Sequence, residues 1–351
     1  MAEETHIKPI SRVDLRKAVH KHEMKLYGVC VFLNVIIVVV LSVMLVGVIG
    51  ERAVGWGELQ AELTAMYERG IPPNDPAKLE LSTYFVEGTI EELTIPAIII
   101  LLPIMVFITL YTLYAKTRAK SVRVTEKNFP EIYQKSVEFT HKLGLKKVPE
   151  VYIMQGNGVI NAFAMAIVGK RIAKLHSEIV DVAYMEENNK DFETVFFVLG
   201  HEFAHIYLNH VTIMNNLSII LGRMVPVIGT AMSRAREFSC DRIAQLLIDG
   251  DGLPGMFLMN VGRRLYGQVD VNDYLETVKK DGGFFLWYSN LMASHPIVPK
   301  RIAALADPER RSGKLSSENR YFINYLGYPF FVLCYLSSIR YEPTGSLECF
   351  R

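Results

Sequence analysis

The stretch His201-Glu202-Phe203-Ala204-His205 is an HExxH motif within a strongly helical part of the chain. Successive residues of an α-helix rotate by about 100°, so residues four apart lie on the same face. His201 and His205 can therefore reach one metal ion, and Glu202 lies beside it as a candidate general base. Because a catalytic zinc also needs a third protein ligand, the motif predicts another ligand elsewhere in the chain.

Glu237 and Asp241 are candidates for that ligand, four residues apart on a second helical run. Glu237 is the predicted third ligand, because two histidines, one carboxylate and one water make a catalytic zinc site. Asp241 suits a different role, accepting the spare ring N–H of a ligand histidine. The alternative is a solvated face on which both carboxylates pair with neighbouring arginines. His210 would lie about 140° from His205 on a continuous helix, so it is predicted to cap or pack rather than bind metal.

Together these motifs resemble those of the gluzincin zinc peptidases. Within them the chain resembles the membrane-bound group that contains the heat-shock protease HtpX and the CAAX prenyl endopeptidases. Four ordered matches within 150–302 carry the resemblance: Ile160-Asn161-Ala162-Phe163-Ala164, HExxH with His210 five residues later, Glu237 with Asp241, and Ser294-His295-Pro296 with Arg301. Cys240 stands where the family usually has alanine.

The resemblance implies a role for each matched residue. One zinc ion per chain would be bound by the two motif histidines and Glu237. His295 would stabilise the tetrahedral intermediate, supported by Arg301. Asn161 and Ala162 would bind an extended peptide along an exposed edge strand. The alternatives are that His295 belongs to a helix-start turn and that Asn161 is a turn residue before the strand.

Two uncharged apolar blocks, 26–50 and 94–115, predict transmembrane helices, because each exceeds the roughly 20 residues that cross a bilayer. The alternative for each is a buried core helix. The first block lacks a clear signal-peptidase site, so it is predicted to be a retained anchor. The segment between them, 51–93, holds three basic and nine acidic residues. Basic residues flank the pair of blocks instead: Arg12, Arg16, Lys17, Lys21, Lys25, Lys116, Arg118, Lys120, Arg123 and Lys127.

The positive-inside rule then predicts that both termini and the catalytic residues face the cytoplasm, as in a multi-pass protein of the cytoplasmic (inner) membrane. Four scattered cysteines without a CxxC pair agree with a reducing compartment. A net charge of +1 gives no reason to expect a nucleic-acid partner.

The predicted fold class is α+β: two N-terminal transmembrane helices, then a mainly helical gluzincin (zincin-like) metallopeptidase domain with a small β-sheet. The predicted divisions are a cytoplasmic basic lead-in at 1–25, spans at 26–50 and 94–115, an extracytoplasmic acidic loop at 51–93, the peptidase domain at 116–310 and a C-terminal segment at 311–351.

Local patterns predict helices at 128–143 and 191–210, and strands at 151–154, 159–168 and about 171–183. Two ambiguous apolar segments complete the chain. Residues 211–232 are predicted to form a packed or interfacial helix rather than a third span. Residues 321–339 are predicted to form a packed or membrane-surface element.

The predicted function is a membrane-anchored zinc metalloendopeptidase that acts on misfolded or membrane proteins, a quality-control role implied by the HtpX resemblance. Three alternatives remain. One is an intramembrane site-2-type protease, whose carboxylate would come from Leu247-Ile248-Asp249-Gly250. Another is a CAAX-type processing enzyme, which would need more spans. The last is a non-enzymatic scaffold with a structural zinc site.

Overall fold

The structure is a computed structural model that describes residues 8–185, 191–280 and 284–306. Within these ranges it leaves out the side chains of 95, 96, 99, 100, 278–280 and 286. The predicted C-terminal segment at 311–351, with its element at 321–339, lies outside the described residues. So does the end of the predicted peptidase domain, 307–310.

The N-terminal part is a short helix, α1 (Arg12–Ala18), followed by two very long helices, α2 (Glu23–Glu68) and α3 (Pro76–Lys120). The predicted loop 51–93 is therefore mostly the continuation of both helices, with the expected break between Gly70 and Pro76. The two helices pack side by side, because Arg52 pairs with Glu92 across them. They form a helical hairpin.

Among the described residues, one helix is long and apolar enough to cross a membrane, Glu23–Glu68. Most of its large apolar side chains between Phe32 and Ile49 are exposed, which is compatible with a lipid environment. The apolar block 94–115 lies within α3. Its crossing of a membrane stays a prediction.

A small mixed sheet follows, built from β1 (Ser121–Arg123), β2 (Glu150–Met154), β3 (Ala162–Ile167) and β4 (Lys170–His176). The strand order is β1-β2-β4-β3. β2 runs parallel to β4, and the other two pairings are antiparallel. Gly169 has φ +75° and makes the tight turn between β3 and β4. β3 is thus an edge strand.

The remaining elements are helical: α4 (Pro130–Leu143), α5 (Ser177–Val180), α6 (Phe192–Tyr207), α7 (Ile213–Ile219), α8 (Ile228–Leu247), α9 (Leu253–Val261), α10 (Val271–Lys280), α11 (Phe284–Met292) and α12 (Val298–Ala306). The expectation of a mainly helical chain with a small sheet is confirmed.

One predicted strand end and one predicted helix are wrong. The predicted strand 171–183 ends at His176, because α5 begins at Ser177. The predicted single helix 211–232 is broken: α7 is followed by a 3-10 turn, and Val227 has φ +69° just before α8 begins. Pro226 precedes that residue, and proline cannot donate a helical hydrogen bond.

Helix α6 lies within the main hydrophobic core. Phe203 is fully buried and its ring lies 5.9 Å from that of Phe139 in α4. Gly200 lets α8 approach closely, because a Cβ at this position would lie 3.4 Å from the Cα of Ala244. The side-by-side packing of α6 and α8 brings the HExxH motif opposite Glu237.

The first turns of α2 pack onto residues 218–222, at the end of α7 and just after it. Asn34 accepts a hydrogen bond from the backbone N–H of Leu221 at 2.9 Å, and the hydroxyls of Tyr27 and Ser218 are 2.9 Å apart. At Gly222 a Cβ would lie only 2.0 Å from the carbonyl oxygen of Cys30, so no side chain fits there. The long helix and this later part of the chain are therefore closely packed.

Candidate metal centre

His201, His205 and Glu237 converge in one cluster, in which His201 and Glu237 are buried and His205 is partly buried. The two Nε2 atoms are 3.2 Å apart, and each lies 3.5 Å from an oxygen of the Glu237 carboxylate. One ligand atom from each residue falls within 4.8 Å of the others, so the three could hold a metal ion. Helix α6 supplies the histidines one turn apart, and α8 supplies the carboxylate from the facing helix.

The donor chemistry of this cluster fits a divalent cation. Burial raises the pKa of Glu237, but the neighbouring histidines outweigh it and hold that pKa well below its usual range. Burial also lowers the pKa of His201, yet Asp241 and Glu237 raise it to about 10. The carboxylates of Glu237 and Asp241 therefore carry negative charge, and the proton held by His201 offsets part of it. A divalent cation would supply the same balance, with two imidazoles and a carboxylate as its ligands.

Asp241 and Arg301 lie behind His201. Oδ1 of Asp241 is 2.9 Å from His201 Nδ1, although off the direction of an ideal N–H hydrogen bond. Arg301 donates to both oxygens of Asp241, at 2.7 and 2.5 Å, and lies 3.3 Å from Glu237. The guanidinium thus joins two carboxylates, and it shares the Oε2 atom of Glu237 with His295 Nδ1.

His210 lies behind His205, which the helical spacing did not predict. Its Nδ1 is 3.0 Å from His205 Nδ1, and its Nε2 is 2.8 Å from Glu23 Oε1. The 140° estimate fails because α6 ends at Tyr207 and Asn209 adopts φ +60°, which turns the chain back. The only sequence signal was the fifth-position histidine after HExxH, and nothing in the local pattern pointed to Glu23.

A second set of ligand atoms, from His205, His210 and Cys240, also lies within 4.8 Å. It suits a metal less well. Burial raises the pKa of the Cys240 thiol well above its usual value, whereas metal binding needs the thiolate. Both ring nitrogens of His210 also have partners already: Nε2 is 2.8 Å from Glu23 Oε1, and Nδ1 is 3.0 Å from His205 Nδ1.

Glu202 is buried beside the histidines, and burial raises its pKa. It lines a cleft of about 410 Å³ together with the three candidate ligands, Arg301 and His295. Such a volume is ordinary for a ligand site, in the range of roughly 300–1,000 Å³. The Nδ1 of His295 is 3.3 Å from Glu237, and its side chain is 70 % exposed.

Asn161 and Ala162 line the same cleft at the start of β3. Asn161 is exposed, and its carbonyl accepts the backbone N–H of His176. Every predicted site residue thus lines this one cleft or lies directly behind one of the candidate metal ligands. Asp249, the carboxylate of the site-2-type alternative, is 82 % exposed and lies 3.8 Å from Lys135 and Lys142. It is on the surface.

Comparison with known families agrees with this geometry. The model of peptidase family M48 matches residues 126–309, which include strands β2 to β4, the HExxH helix, Glu237 and Arg301. No curated protein is similar enough in sequence to count as a relative. Peptidases of this family depend on a metal, and the buried cluster of histidines and glutamate lies inside the matched range. The chain therefore belongs to peptidase family M48 and is a metallopeptidase.

Proposed function

We propose that this protein is a membrane-anchored zinc metalloendopeptidase. His201, His205 and Glu237 bind one zinc ion, and their convergence is the observation that carries the proposal. Zinc is favoured over other divalent ions by two imidazole ligands with one carboxylate, a set that leaves a fourth position for water. A structural site would fill that position with a protein ligand, which argues against a non-enzymatic scaffold.

The chain's own residues supply the proton chemistry. When bound, zinc supplies Lewis acidity and lowers the pKa of its water to about 7. Glu202 is the general base that takes the proton from the attacking water and delivers it to the leaving amine. Its burial raises its pKa, which suits a group that must both accept and release a proton near neutral pH. His295, exposed at the edge of the cleft, donates to the developing oxyanion.

Arg301 and Asp241 act behind the metal ligands. Asp241 orients His201, and Arg301 keeps Asp241 ionised and fixed by two hydrogen bonds. The bidentate pairing is specific to a planar guanidinium. We assign Arg301 to positioning rather than to contact with the oxyanion, because its N–H groups already face the two carboxylates.

An extended polypeptide is the proposed substrate. β3 is an edge strand, and Asn161 and Ala162 at its start line the cleft. A peptide could pair with this edge through backbone hydrogen bonds, with Asn161 contacting its backbone. Recognition of backbone rather than side chains suits misfolded or dislodged segments.

Membrane anchoring rests on α2 and on the apolar block 94–115. We propose an HtpX-like enzyme in the cytoplasmic membrane, with the peptidase domain in the cytoplasm and quality control of membrane proteins as its role. A CAAX-type chamber needs more spans than two.

The predicted orientation places the turn between α2 and α3 outside the cytoplasm. A cysteine introduced there as Asn74→Cys should react with a membrane-impermeant reagent on intact cells. Reaction only after lysis would contradict the orientation.

The substitution Glu202→Gln tests the enzymatic claim. Purified full-length protein in detergent should keep about one zinc per chain, because no ligand is changed. Casein cleavage should fall by roughly 10²–10⁴-fold, since the general base is lost. The matched control is Glu193→Gln on the same helix, which lies outside the cleft and should cleave normally.

Undiminished cleavage by Glu202→Gln would exclude the mechanism. In cells, a misfolded membrane protein should accumulate when Glu202→Gln is the sole copy. Normal clearance by this variant would favour the scaffold alternative over quality control by cleavage.

A further inference from the structure

Glu23 is a charged side chain that the protein buries at the start of the long helix α2. Only 4 % of it is exposed. It lies more than a hundred residues before the region that matches the peptidase family, 126–309. Burying a carboxylate is costly unless it is paired and hydrogen-bonded. Its position therefore calls for a specific partner.

Both oxygens of Glu23 have such partners. Oε1 accepts from Nε2 of His210 at 2.8 Å, and Oε2 accepts from the hydroxyl of Ser239. Ser239 also accepts the backbone N–H of His20 at 2.8 Å, and it lies two residues after Glu237 on α8. The start of α2 is thus bonded both to the helix of the third ligand and to the residue behind His205.

The order of hydrogen bonds fixes the tautomers. Nε2 of His205 faces His201 and Glu237, while its Nδ1 lies 3.0 Å from Nδ1 of His210. A neutral imidazole that offers Nε2 to a metal carries its proton on Nδ1. That proton is donated to His210 Nδ1, so His210 carries its own proton on Nε2 and donates it to Glu23.

The two motif histidines therefore have equivalent supports. His201 has Asp241 behind it, and His205 has Glu23 behind it with His210 in between. Partners of this kind orient a ligand ring and raise its basicity. The difference is that Asp241 lies on α8 within the peptidase core, whereas Glu23 lies on the helix that carries the apolar block 26–50.

We propose that Glu23, acting through His210, is a positioning residue for the metal site, and that docking of the long apolar helix is thereby required for tight metal binding. The inference rests on the proposed function only in that His205 must bind the metal. It extends the site to a residue outside the region that matches the peptidase family. Metal affinity would then depend on how α2 packs against the peptidase domain.

Two substitutions in the full-length protein test the connection. Glu23→Gln keeps the shape and an acceptor for His210 but removes the charge. His210→Phe keeps a ring of similar size but removes the acceptor for His205. Glu58→Gln is the matched control, an exposed glutamate on the same helix. Zinc affinity is measured by chelator competition, the fold by circular dichroism, and ligand geometry by the visible spectrum of the cobalt-substituted protein.

We expect His210→Phe to weaken zinc binding by roughly 10–100-fold and to alter the cobalt spectrum. Glu23→Gln should weaken it as well, by up to roughly tenfold, and the double variant should match His210→Phe because the two residues act in series. Glu58→Gln should bind zinc like the wild type.

A folded Glu23→Gln protein with wild-type zinc affinity and cobalt spectrum would overturn the proposal. This shape-conserving variant decides the matter even if His210→Phe does not fold. Additive losses in the double variant would also contradict a serial connection. Absence of zinc binding by the wild type would instead refute the proposed function, so the two failures are distinguishable.

Discussion

At the scale of single residues, Arg301 determines how much negative charge the metal centre can hold. Its partly buried side chain lies between Asp241 and Glu237, and it donates hydrogen bonds to both carboxylate oxygens of Asp241. Burial raises the pKa of Asp241, but Arg301 and His201 outweigh it and lower that pKa. Asp241 therefore stays ionised behind His201. The guanidinium and the cation that we propose for the site share the neutralisation of the two carboxylates.

His20, at the junction before α2, makes stability depend on pH. Burial lowers its pKa to about 3, and the nearby cations Arg242, His22 and Lys21 act in the same direction. The unfolded chain takes up this proton near pH 6.5, and the folded chain takes it up only near pH 3. His20 thus contributes stability above pH 6.5 that is lost as the pH falls towards 3.

We expect the free energy of unfolding in urea to fall by about 2 kcal/mol between pH 7 and 5 because of His20. The variant His20→Phe keeps a ring beside Phe238 and the backbone N–H that bonds to Ser239. Its free energy of unfolding should fall less between pH 7 and 5 than that of the wild type. The same loss in wild type and variant would show that other groups titrate.

The sequence predicted that His201, His205 and Glu237 would lie together, and the structure brings them together, because both motifs place their residues one helical turn apart. His201 and His205 are four residues apart on α6, and Glu237 and Asp241 are four residues apart on α8. The predicted direction of His210, away from His205, was wrong. Its position depends on where α6 ends, and Asn209 in the left-handed region turns the chain back. Glu23 was missed because no local pattern connects it with a histidine 187 positions away.

At the scale of elements, the contact between α2 and the turn at Gly222 leaves no room for a side chain between the long helix and the peptidase domain. Because a Cβ there would overlap the carbonyl of Cys30, Gly222→Ala should push the helix away. Overpacking of this kind costs about 1–3 kcal/mol. Gly28→Ala on α2 is the control, since nothing lies within 4 Å of its added Cβ.

We expect Gly222→Ala to lower the thermal unfolding midpoint, and also to weaken zinc binding because α2 carries Glu23. Gly28→Ala should leave zinc binding unchanged and keep or slightly raise stability, since alanine is the better helix former. An unchanged midpoint and zinc affinity in Gly222→Ala would mean that α2 is not held at this turn.

Helix and strand positions followed from sequence where one residue pattern decides them. The helix predicted at 128–143 is present as α4, although it begins two residues later at Pro130, and Gly169 makes the predicted hairpin turn. The patterns failed where tertiary packing decides. The apolar run 211–232 resembles one helix, but the chain breaks it into pieces that cover the first turns of α2.

At the scale of the whole molecule, the peptidase domain rests on both long helices. The sheet contacts the end of α3, where Lys170 donates to the hydroxyl of Tyr114 at 2.7 Å and Leu110 packs against the residues around Tyr152. α2 contacts a different part of the domain, at Ser218 and Leu221, through Tyr27 and Asn34. The cleft is therefore part of a body that includes the apolar helix, which agrees with a site beside a membrane.

The most direct test of the central claim is the zinc K-edge absorption spectrum of the purified full-length protein. If His201, His205 and Glu237 bind the ion, the first shell contains only nitrogen and oxygen, at about 2.0–2.2 Å. A sulfur neighbour at about 2.3 Å would instead mean that zinc binds among His205, His210 and Cys240, and would contradict the account.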